Sequence, residues 1–472
     1  MPTRNTVQEF ADDLDWVNVR ERPLLAALRG RVVLLVFFSY DSIHSINLIP
    51  ELRQLQIKYH DGVAMLGIHV PKYAAQRDTA GVLKAANRLH LRFPVANDAE
   101  WLLWRQFEIE AWPSVLVLDC EGLQAARVQG DDRLRELDEL IATLLDEAAA
   151  RDLRRFDPAP TSARPEPRVA LRFPGALAVA GERLYVGDSA HNRVLECNLE
   201  GRVLRQFGSG KPGYWDGHSS DAGFSDPQGL ALLGDALFVA DTGNHAVRRI
   251  RLLTGDVATV LGRGELGCDV PHGGVAGTEL AVSAPVGLAA GADRLYVALA
   301  GQHQIWQLHL GDHRVDVLAG SGLADVADGE ALSAAFAQPA GLALLAGQLL
   351  VADAGGNALR AVRLADGMVS TLAGAGRWQP GKGETGACLA HPLGIGVDST
   401  GHAFVADTLN DRVVVYAGTG TGVRALKLGE RLHEPAGLCV DGRTLWLADR
   451  NAHAVLRVDL DGGAVRRLPI GE

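Results

Sequence analysis

The most constraining feature of this chain is a motif that recurs six times in its C-terminal part. Each copy opens with a proline, continues through a short segment rich in Gly, Ala and Leu, and is followed by a second apolar segment that usually ends in Ala-Asp. Consecutive copies begin about 43 to 58 residues apart, and repeats of roughly this length made of short strands and Gly-rich turns are typical of β-propeller blades. The opening prolines are Pro174, Pro227, Pro285, Pro339, Pro392 and Pro435. Six copies predict six blades.

Composition places the chain among ordinary globular proteins, with 47% hydrophobic and 22% charged residues. We see neither a signal peptide in the first sixteen residues nor an apolar run of the roughly 20 residues needed to span a membrane. The cysteines are dispersed without metal-ligand spacing, which favours a reducing compartment and predicts a cytoplasmic protein. They are Cys120, Cys197, Cys268, Cys388 and Cys439.

The net charge of -11 is spread over both parts of the chain, because each part holds more acidic than basic residues. Proteins that bind nucleic acid neutralise phosphates with clustered Lys and Arg, and neither part offers such a surplus. The charge therefore predicts no nucleic-acid partner, and the absence of an apolar span predicts no membrane partner.

Residues 1–156 predict an α/β domain. The runs Val32 to Phe38 and Val63 to Val70 are apolar throughout, which is typical of strands buried on both faces. Helical spacing of apolar residues follows each run, and a hairpin turning at Glu121-Gly122 precedes a last helix over residues 133–150. Strand-helix-strand units followed by a hairpin indicate a sheet with a parallel core.

This order, with Trp112-Pro113 entering a later strand, resembles the thioredoxin fold. The resemblance implies a redox Cys-x-x-Cys after the first buried strand and a cis-proline facing it, which assigns Pro113 to the cis-proline position. Here Asp41 is followed by Ser42-Ile43-His44-Ser45 in the place of the dithiol. Disulfide exchange needs a thiolate, which serine cannot supply, so we expect no oxidoreductase activity. Cys120 lies far from this position in the sequence.

Two further interpretations apply to the same segment. His44 and Asp41 beside Ser42 suggest a nucleophile with its base and orienting group. Ser and Asp are also common N-cap residues, and neighbours at the start of a helix point in different directions. We therefore expect Asp41 and Ser42 to cap the following helix.

Residues 157–167 contain four prolines and no apolar periodicity, so we predict an extended linker between the first domain and a propeller over residues 168–472. Two segments can supply the strand that completes the last blade. One is residues 168–173, which precede the first blade, and the other is residues 464–470 at the end of the chain. The sequence leaves both open.

Between the second and third strands of each blade lies a polar turn, seen most clearly in Asp241-Thr242-Gly243-Asn244-His245. This turn resembles the NHL repeat. The aspartate recurs as Asp188, Asp353, Asp407 and Asp449, whereas blade three has Leu299 in its place with Gln302 and His303 following. Because these polar residues are spread over all blades, we interpret them as turn-forming and not as one catalytic site.

The inner strands contain Gly, Ala and Leu, so we expect a channel lined by small apolar side chains. Four polar residues stand directly before the opening prolines and are candidates for a ligand site at the channel mouth: Asp226, Gln338, His391 and Glu434. One histidine and two acids can in principle bind Ca²⁺ or Zn²⁺. Further histidines in register are missing, so we expect a polar rim, no metal and no cofactor.

Long connections between the blades should lie on one face and offer a surface for a protein or small-molecule ligand. Their aromatic residues are Tyr214, Trp215, Phe224, Phe336 and Trp378. The alternative is that Phe224 and Phe336 only fill space between blades.

The combination of domains resembles the NHL repeat-containing protein 2 family, and the resemblance extends from about Leu34 to Ile470. It is carried in the first domain by residues 38–40, 49–52, 96–99 and 112–113, and in the propeller by residues 240–245, 301–306 and 336–339. The family commonly has Cys-Cys-Ile-Asn-Cys where this chain has Asp41-Ser42-Ile43-His44-Ser45. Longer members also continue beyond the place of Glu472 into another β-rich domain. We therefore expect a short, bacterial-type member without the redox cysteines.

These observations favour a non-catalytic interaction or scaffold protein, with a redox-inactive thioredoxin-like domain and a ligand-binding propeller. One alternative is a propeller enzyme, a metal-assisted lyase or lactonase-type hydrolase using His391, Glu434 and Asp226. Others are residual thiol chemistry, or a groove near Ser42 and Pro113 that binds a peptide without chemistry. The sequence identifies neither the partner nor the oligomeric state.

Overall fold

The computed structural model describes residues 7–156, 169–272, 274–374, 389–418 and 422–471. The chain divides into two compact units, Met1–Pro167 and Arg168–Glu472. The proposed linker, residues 157–167, lies outside the described residues, as do Cys388 and Trp378.

The first unit is a mixed six-stranded sheet in the order β1-β4-β3-β2-β5-β6, accompanied by four α-helices. Its strands are β1 (Asp15–Val17), β2 (Val32–Phe38), β3 (Val63–His69), β4 (Val95–Asn97), β5 (Ser114–Leu118) and β6 (Gln124–Gln129). Its helices are α1 (Ile43–Lys58), α2 (Thr79–Arg88), α3 (Leu102–Gln106) and α4 (Leu134–Ala150), with short 3₁₀ helices at Leu25–Leu28 and Ala74–Arg77.

The two apolar runs form the centre of this sheet. Every residue of β2 and β3 is buried, and the strands pair in parallel with Val32 opposite Val63. On its other side β2 pairs antiparallel with β5, which forms the predicted hairpin with β6. The prediction of an α/β thioredoxin-like domain is confirmed, and α4 lies within the predicted helix over residues 133–150.

The second unit is a six-bladed propeller, as predicted. Each blade is a four-stranded antiparallel sheet, and blade two carries an additional outer strand. Blade one holds β7 (Pro174–Ala180), β8 (Arg183–Asp188), β9 (Arg193–Asn198) and β10 (Val203–Phe207); blade two holds β11 (Gly217–His218), β12 (Pro227–Leu233), β13 (Ala236–Asp241), β14 (Ala246–Arg251) and β15 (Asp256–Leu261). Blade three holds β16 (Pro285–Ala290), β17 (Arg294–Leu299), β18 (Gln304–His309) and β19 (Val315–Ala319); blade four holds β20 (Pro339–Leu345), β21 (Gln348–Asp353), β22 (Ala358–Arg363) and β23 (Val369–Gly374). Blade five holds β24 (Pro392–Val397), β25 (Ala403–Asp407), β26 (Arg412–Tyr416) and β27 (Val423–Ala425); blade six holds β28 (Pro435–Asp441), β29 (Thr444–Asp449), β30 (Ala454–Asp459) and β31 (Val465–Arg467).

The recurring glycine of the opening motif has a steric cause. A Cβ built on Gly287 would lie 1.9 Å from the carbonyl oxygen of Ala340 in the next blade, and one on Gly229 would lie 2.2 Å from that of Val286. The inner strands of adjacent blades therefore approach at a distance that only glycine permits. The same approach joins blade six to blade one, where a Cβ on Gly437 would lie 2.5 Å from the carbonyl oxygen of Gly175.

The last blade is completed by its own outer strand. β31 pairs with β30, and residues 169–173 contain no strand. Of the two closures that the sequence left open, the structure adopts the C-terminal one. The two ends of the propeller therefore meet without exchange of a strand between the first and last blades.

Candidate functional site

The segment to which the fold resemblance assigns a dithiol lies between β2 and α1, where Asp41, Ser42 and Ser45 are all buried. The hydroxyl oxygen of Ser45 accepts a hydrogen bond from the backbone N–H of Ser39 (3.3 Å), so this side chain stabilises the loop that precedes the helix. Ser42 is the residue before α1 and has extended backbone angles, but its side chain makes no capping hydrogen bond. The expectation that Ser42 caps the helix through its hydroxyl is wrong.

The side chain of Asp41 has two partners outside the helix. One of its carboxylate oxygens accepts a hydrogen bond from the hydroxyl of Ser39, and the other lies 3.3 Å from the ammonium group of Lys72. The cation and the hydroxyl together stabilise the ionised form of this buried carboxylate.

Pro113 follows a cis peptide bond with Trp112, at the position where the fold resemblance places a cis-proline. The ammonium group of Lys72 lies 5.2 Å from the centre of the Trp112 ring, so Lys72 contacts both Trp112 and Asp41. Trp112 packs against Trp104, with ring centroids 4.4 Å apart, and against Trp101 at 5.5 Å. The three half-buried tryptophans form an aromatic cluster that sequence reasoning missed. The clustering of Trp101, Trp104 and Trp112 within twelve residues was the available signal.

His44 has a different partner from the one proposed. Its Nδ1 lies 3.0 Å from Oδ2 of Asp131, which also accepts a hydrogen bond from the side-chain amide of Asn47 (2.9 Å). The acid within hydrogen-bond distance of Nδ1 of His44 is therefore Asp131. Asp131 holds the start of α1 against the loop after β6.

One turn further along α1, burial and the charges of Asp131 and Asp132 raise the pKa of Glu51 to about 7.

His69 is fully buried at the end of β3. Its ring stacks on Tyr40 with centroids 4.8 Å apart, and Nδ1 lies 3.4 Å from the side-chain oxygen of Asn97. Burial lowers the pKa of His69 to about 4, so the imidazole is neutral at physiological pH.

Three of the cysteines that the structure describes are free thiols: Cys120, Cys197 and Cys439. Burial raises the pKa of Cys120 to about 11 and the pKa values of Cys197 and Cys439 to about 12. A thiol that reacts by exchange needs a pKa near or below neutrality. These three groups carry almost no thiolate at physiological pH.

In the propeller, the inner strands of all six blades line a channel of about 70 Å³. Small and aliphatic residues dominate the lining, as the sequence predicted, and Gln228 is the single polar side chain among the described residues that line it. Its side-chain amide donates to the carboxylate of Asp226 (2.7 Å).

The four candidates for a mouth site, Asp226, Gln338, His391 and Glu434, each precede an inner strand, as predicted, but they line no part of the channel described above. Glu434 forms a buried ion pair with Arg450 at 2.8 Å. Within the described ranges, no group of three or more His, Cys, Asp or Glu side chains is arranged to hold a metal ion.

The backbone groups of these mouth residues are engaged in contacts between turns and blades. The N–H of Asp226 donates to the side chain of Asn192 (3.1 Å), that of His391 to Asn357 (3.0 Å), and that of Glu434 to Asp411 (2.8 Å). We predicted that the polar residues only form turns. The last residue of these turns also accepts a hydrogen bond from the next blade.

The long connections that enter blades two and four share one architecture. Arg248 is fully buried; its guanidinium donates to the carbonyl of Trp215 and the carboxylate of Asp216, and it lies 2.9 Å from the carboxylate of Asp241. Arg360 makes the equivalent contacts in blade four with Ala327, Asp328 and Asp353.

The aromatic residues of these connections have different environments. Phe224 and Phe336 are fully buried, beneath the guanidinium groups of Arg248 and Arg360, so the space-filling alternative is confirmed for both. Trp215 is 55% exposed. In the parts of the chain that the structure describes, no helix is both long and apolar enough to span a membrane.

Comparisons with known proteins agree with this architecture. Residues 30–123 match a protein-family model described as Thioredoxin-like. Protein SUPPRESSOR OF QUENCHING 1, chloroplastic, from Arabidopsis thaliana is 34% identical over 501 residues, which cover 98% of this chain and 47% of the plant protein. NHL repeat-containing protein 2 from Gallus gallus is 32% identical over 526 residues, covering 98% of this chain and 71% of that protein. The protein of the same name from Homo sapiens is 31% identical, covering 98% and 72%.

The chain thus spans about half the length of the plant relative and most of the length of the animal relatives. The similarity includes both the thioredoxin-like unit and the six blades. This chain belongs to the NHL repeat-containing protein 2 family.

Proposed function

We propose that this chain is a non-catalytic interaction protein: its thioredoxin-like domain transfers no electrons, and its propeller binds a protein or a small-molecule ligand. The observation that carries the proposal is the state of the two dithiol positions. Ser42 and Ser45 stand at the two cysteine positions, and the hydroxyl oxygen of Ser45 accepts a hydrogen bond from the Ser39 amide. A hydroxyl forms no disulfide, and the buried thiols elsewhere have pKa values far above neutrality. The chain is, on this proposal, a family member without the redox dithiol.

The anchored connections support binding at the propeller loops. Trp215, Leu323 and Leu332 are 55%, 69% and 61% exposed on the segments that enter blades two and four. Arg248 and Arg360 fix these segments to the blades, so little ordering entropy is lost when a partner binds. Both segments join an outer strand to the next inner strand and therefore lie on the same face of the ring.

A matched pair of variants tests this surface. The variant Trp215→Ser/Leu323→Ser/Leu332→Ser removes the apolar side chains, and Leu253→Ser removes one that is 82% exposed in the turn between β14 and β15, on the opposite face. In affinity capture from native lysate, we expect a protein that binds the wild-type chain to bind Leu253→Ser as well, and not to bind the triple variant. Equal retention by both variants would place the binding surface elsewhere.

Activity is tested separately. We expect no reduction of insulin disulfides by the wild-type chain above the rate of dithiothreitol alone. Turnover that persists in Cys120→Ser would contradict the non-catalytic assignment. The free thiols also support a reducing, cytoplasmic location, which cell fractionation can test.

A further inference from the structure

Every junction between neighbouring blades is bridged by one side chain at an equivalent place. It belongs to the last residue of the polar turn between the second and third strands, which has left-handed backbone angles in all six blades. These residues are Asn192, His245, His303, Asn357, Asp411 and His453. In five blades the side chain accepts the backbone N–H of the residue before the next opening proline. The hydrogen bonds run around the ring and return from blade six to blade one.

The chemistry of the bridge differs between junctions. Nδ1 of His245 faces the N–H of Ala284 (3.2 Å) and Nδ1 of His453 faces that of Phe173 (3.2 Å), so both nitrogens must be unprotonated acceptors. Nδ1 of His303 instead faces the carbonyl of Ala337 (2.8 Å), to which it must donate. Protonation removes the first two hydrogen bonds and leaves the third.

His453 stands at the junction where the two ends of the propeller meet. At three other junctions a hydroxyl adds a second bond to the next blade: Ser189 to the Pro227 carbonyl, Thr242 to that of Pro285, and Thr408 to that of Pro435. At this seam the same place holds Arg450, whose guanidinium binds Glu434 of its own blade. An exposed ion pair between Arg466 and Glu200 (2.8 Å) also crosses the seam, and water screens it.

We propose that the seam between blades six and one is a proton-sensitive contact, in which protonation of His453 breaks its hydrogen bond with Phe173 and loosens the ring at this junction. The two side chains also pack together, with ring centroids 4.4 Å apart. An imidazolium would place an N–H against the N–H of Phe173, so the contact becomes repulsive. The unperturbed pKa of imidazole is about 6.5, so a fall from about pH 7.5 to about pH 5 is the change that tests this contact.

Charged groups surround the turn from several elements. Arg450 and Glu434 form the buried pair, His433 lies 3.6 Å from Asp449, and Arg467 of β31 donates to the carbonyl of Ala452. On the side of blade one, the backbone N–H of Arg172 donates to the carboxylate of Asp188. Burial raises the pKa of Asp449 to about 6, so the titration of Asp449 accompanies acidification and must be separated from that of His453.

The variant His453→Asn separates the titration of His453 from that of Asp449. Asparagine already occupies the equivalent place at Asn192 and Asn357, and at position 453 its side-chain oxygen should accept the N–H of Phe173 without titrating. All other charged groups stay the same. The measurement is hydrogen exchange of the peptide over residues 169–180, expressed as a protection factor to correct for the intrinsic effect of pH. The control is His303→Asn, which replaces the histidine that donates.

We expect the wild-type protection factor to fall about fivefold to tenfold between about pH 7.5 and about pH 5, the size of one lost hydrogen bond. It should stay constant in His453→Asn and fall as in wild type in His303→Asn. The amide of Asp226, bound by Asn192, is an internal reference within the wild-type chain and should not change. The proposal would be overturned if the protection factor fell equally in His453→Asn. It would also be overturned if the wild-type protection factor over residues 169–180 changed no more than that of the Asp226 amide.

Discussion

The side-chain oxygen of Gln302 lies 3.0 Å from the backbone nitrogen of Ser283 and accepts its hydrogen bond. In the other five blades an aspartate at the end of the second strand accepts the corresponding amide, as Asp241 does from Ser225 (2.7 Å). Blade three has Leu299 at the aspartate position, and the glutamine three residues later replaces the missing acceptor. All six blades therefore have a side-chain oxygen that accepts this amide, although in blade three it comes from a different position of the motif.

Replacing Gln302 should destabilise blade three. In Gln302→Leu the buried N–H of Ser283 loses this acceptor, which costs about 1–3 kcal/mol in the free energy of unfolding. Urea denaturation followed by far-UV circular dichroism measures the loss. Gln348→Leu, at an exposed position in β21, is the matched control and should stay within about 0.5 kcal/mol of wild type. Equal stability of the two variants would show that Gln302 does not replace the aspartate.

Much of the propeller was predictable because its repeats are local in sequence. The prolines, the apolar second strands and the turn residues each mark one element, so their repetition gave the number of blades and the order of strands. The role of Gln302 was not predictable, because its partner Ser283 lies nineteen residues earlier and only the register of the blade brings the two together. The same limit applies to Asn192 and His453, which bind the following blade.

The close approach of inner strands predicts a severe effect at Gly287. A Cβ there would lie 1.9 Å from the carbonyl oxygen of Ala340, so Gly287→Ala must push two blades apart. We expect a loss of about 3 kcal/mol in the free energy of unfolding, in the upper range of overpacking. Gly311→Ala is the control, because no atom lies within 4 Å of a Cβ at that position. A thermal unfolding midpoint that is unchanged in Gly287→Ala would contradict this steric account.

Removing the guanidinium of Arg248 should cost more than removing a surface charge. Arg248→Met leaves Asp241 buried without its countercharge, and burial already raises the pKa of Asp241 to about 6. We expect a loss of about 3–5 kcal/mol in unfolding free energy, together with faster proteolysis near Trp215. The double variant Asp241→Asn/Arg248→Met should recover part of the loss, because the amide carries no charge.

The neighbouring Arg249→Met is the control for this experiment, since residue 249 points to the other face of the strand. If the double variant is no more stable than Arg248→Met, the loss comes from packing against Phe224 and not from the unpaired charge.

The site in the thioredoxin-like domain was predictable only in part. The resemblance to the thioredoxin fold implied that Ser42 and Ser45 stand where a dithiol is expected and that Pro113 occupies the cis-proline position. The partner of His44 does not, because Asp131 lies 87 residues away in the loop after β6. Proximity in the sequence suggested Asp41 as the acid, whereas in the fold one of its carboxylate oxygens lies 3.3 Å from the ammonium group of Lys72.

Glu51 should make stability depend on pH near neutrality. Burial and the charges of Asp131 and Asp132 raise its pKa from the ordinary 4.5 to about 7 in the folded state. The protonated carboxyl therefore contributes stability that is complete below about pH 4.5 and is lost as the pH rises through about 7. Glu51→Gln resembles the protonated form, so its unfolding midpoint should exceed that of wild type at about pH 8 and match it at about pH 4.5.

Thermal unfolding at several pH values measures this difference, with the exposed Glu147→Gln as control. A constant difference between Glu51→Gln and wild type across the range would show that Glu51 does not titrate near neutrality in the folded protein.

Placing sulfur at the two serine positions should introduce disulfide chemistry. Ser42 and Ser45 lie at the start of α1, where the positive end of the helix dipole lowers the pKa of a thiol. We expect Ser42→Cys/Ser45→Cys to form a reversible disulfide by thiol titration and to reduce insulin, whereas Ser42→Cys alone forms no intramolecular pair at this site. A double variant that forms the disulfide but stays inactive would mean that the Asp41–Lys72 pair, or the neutral His69 beneath it, no longer supports exchange.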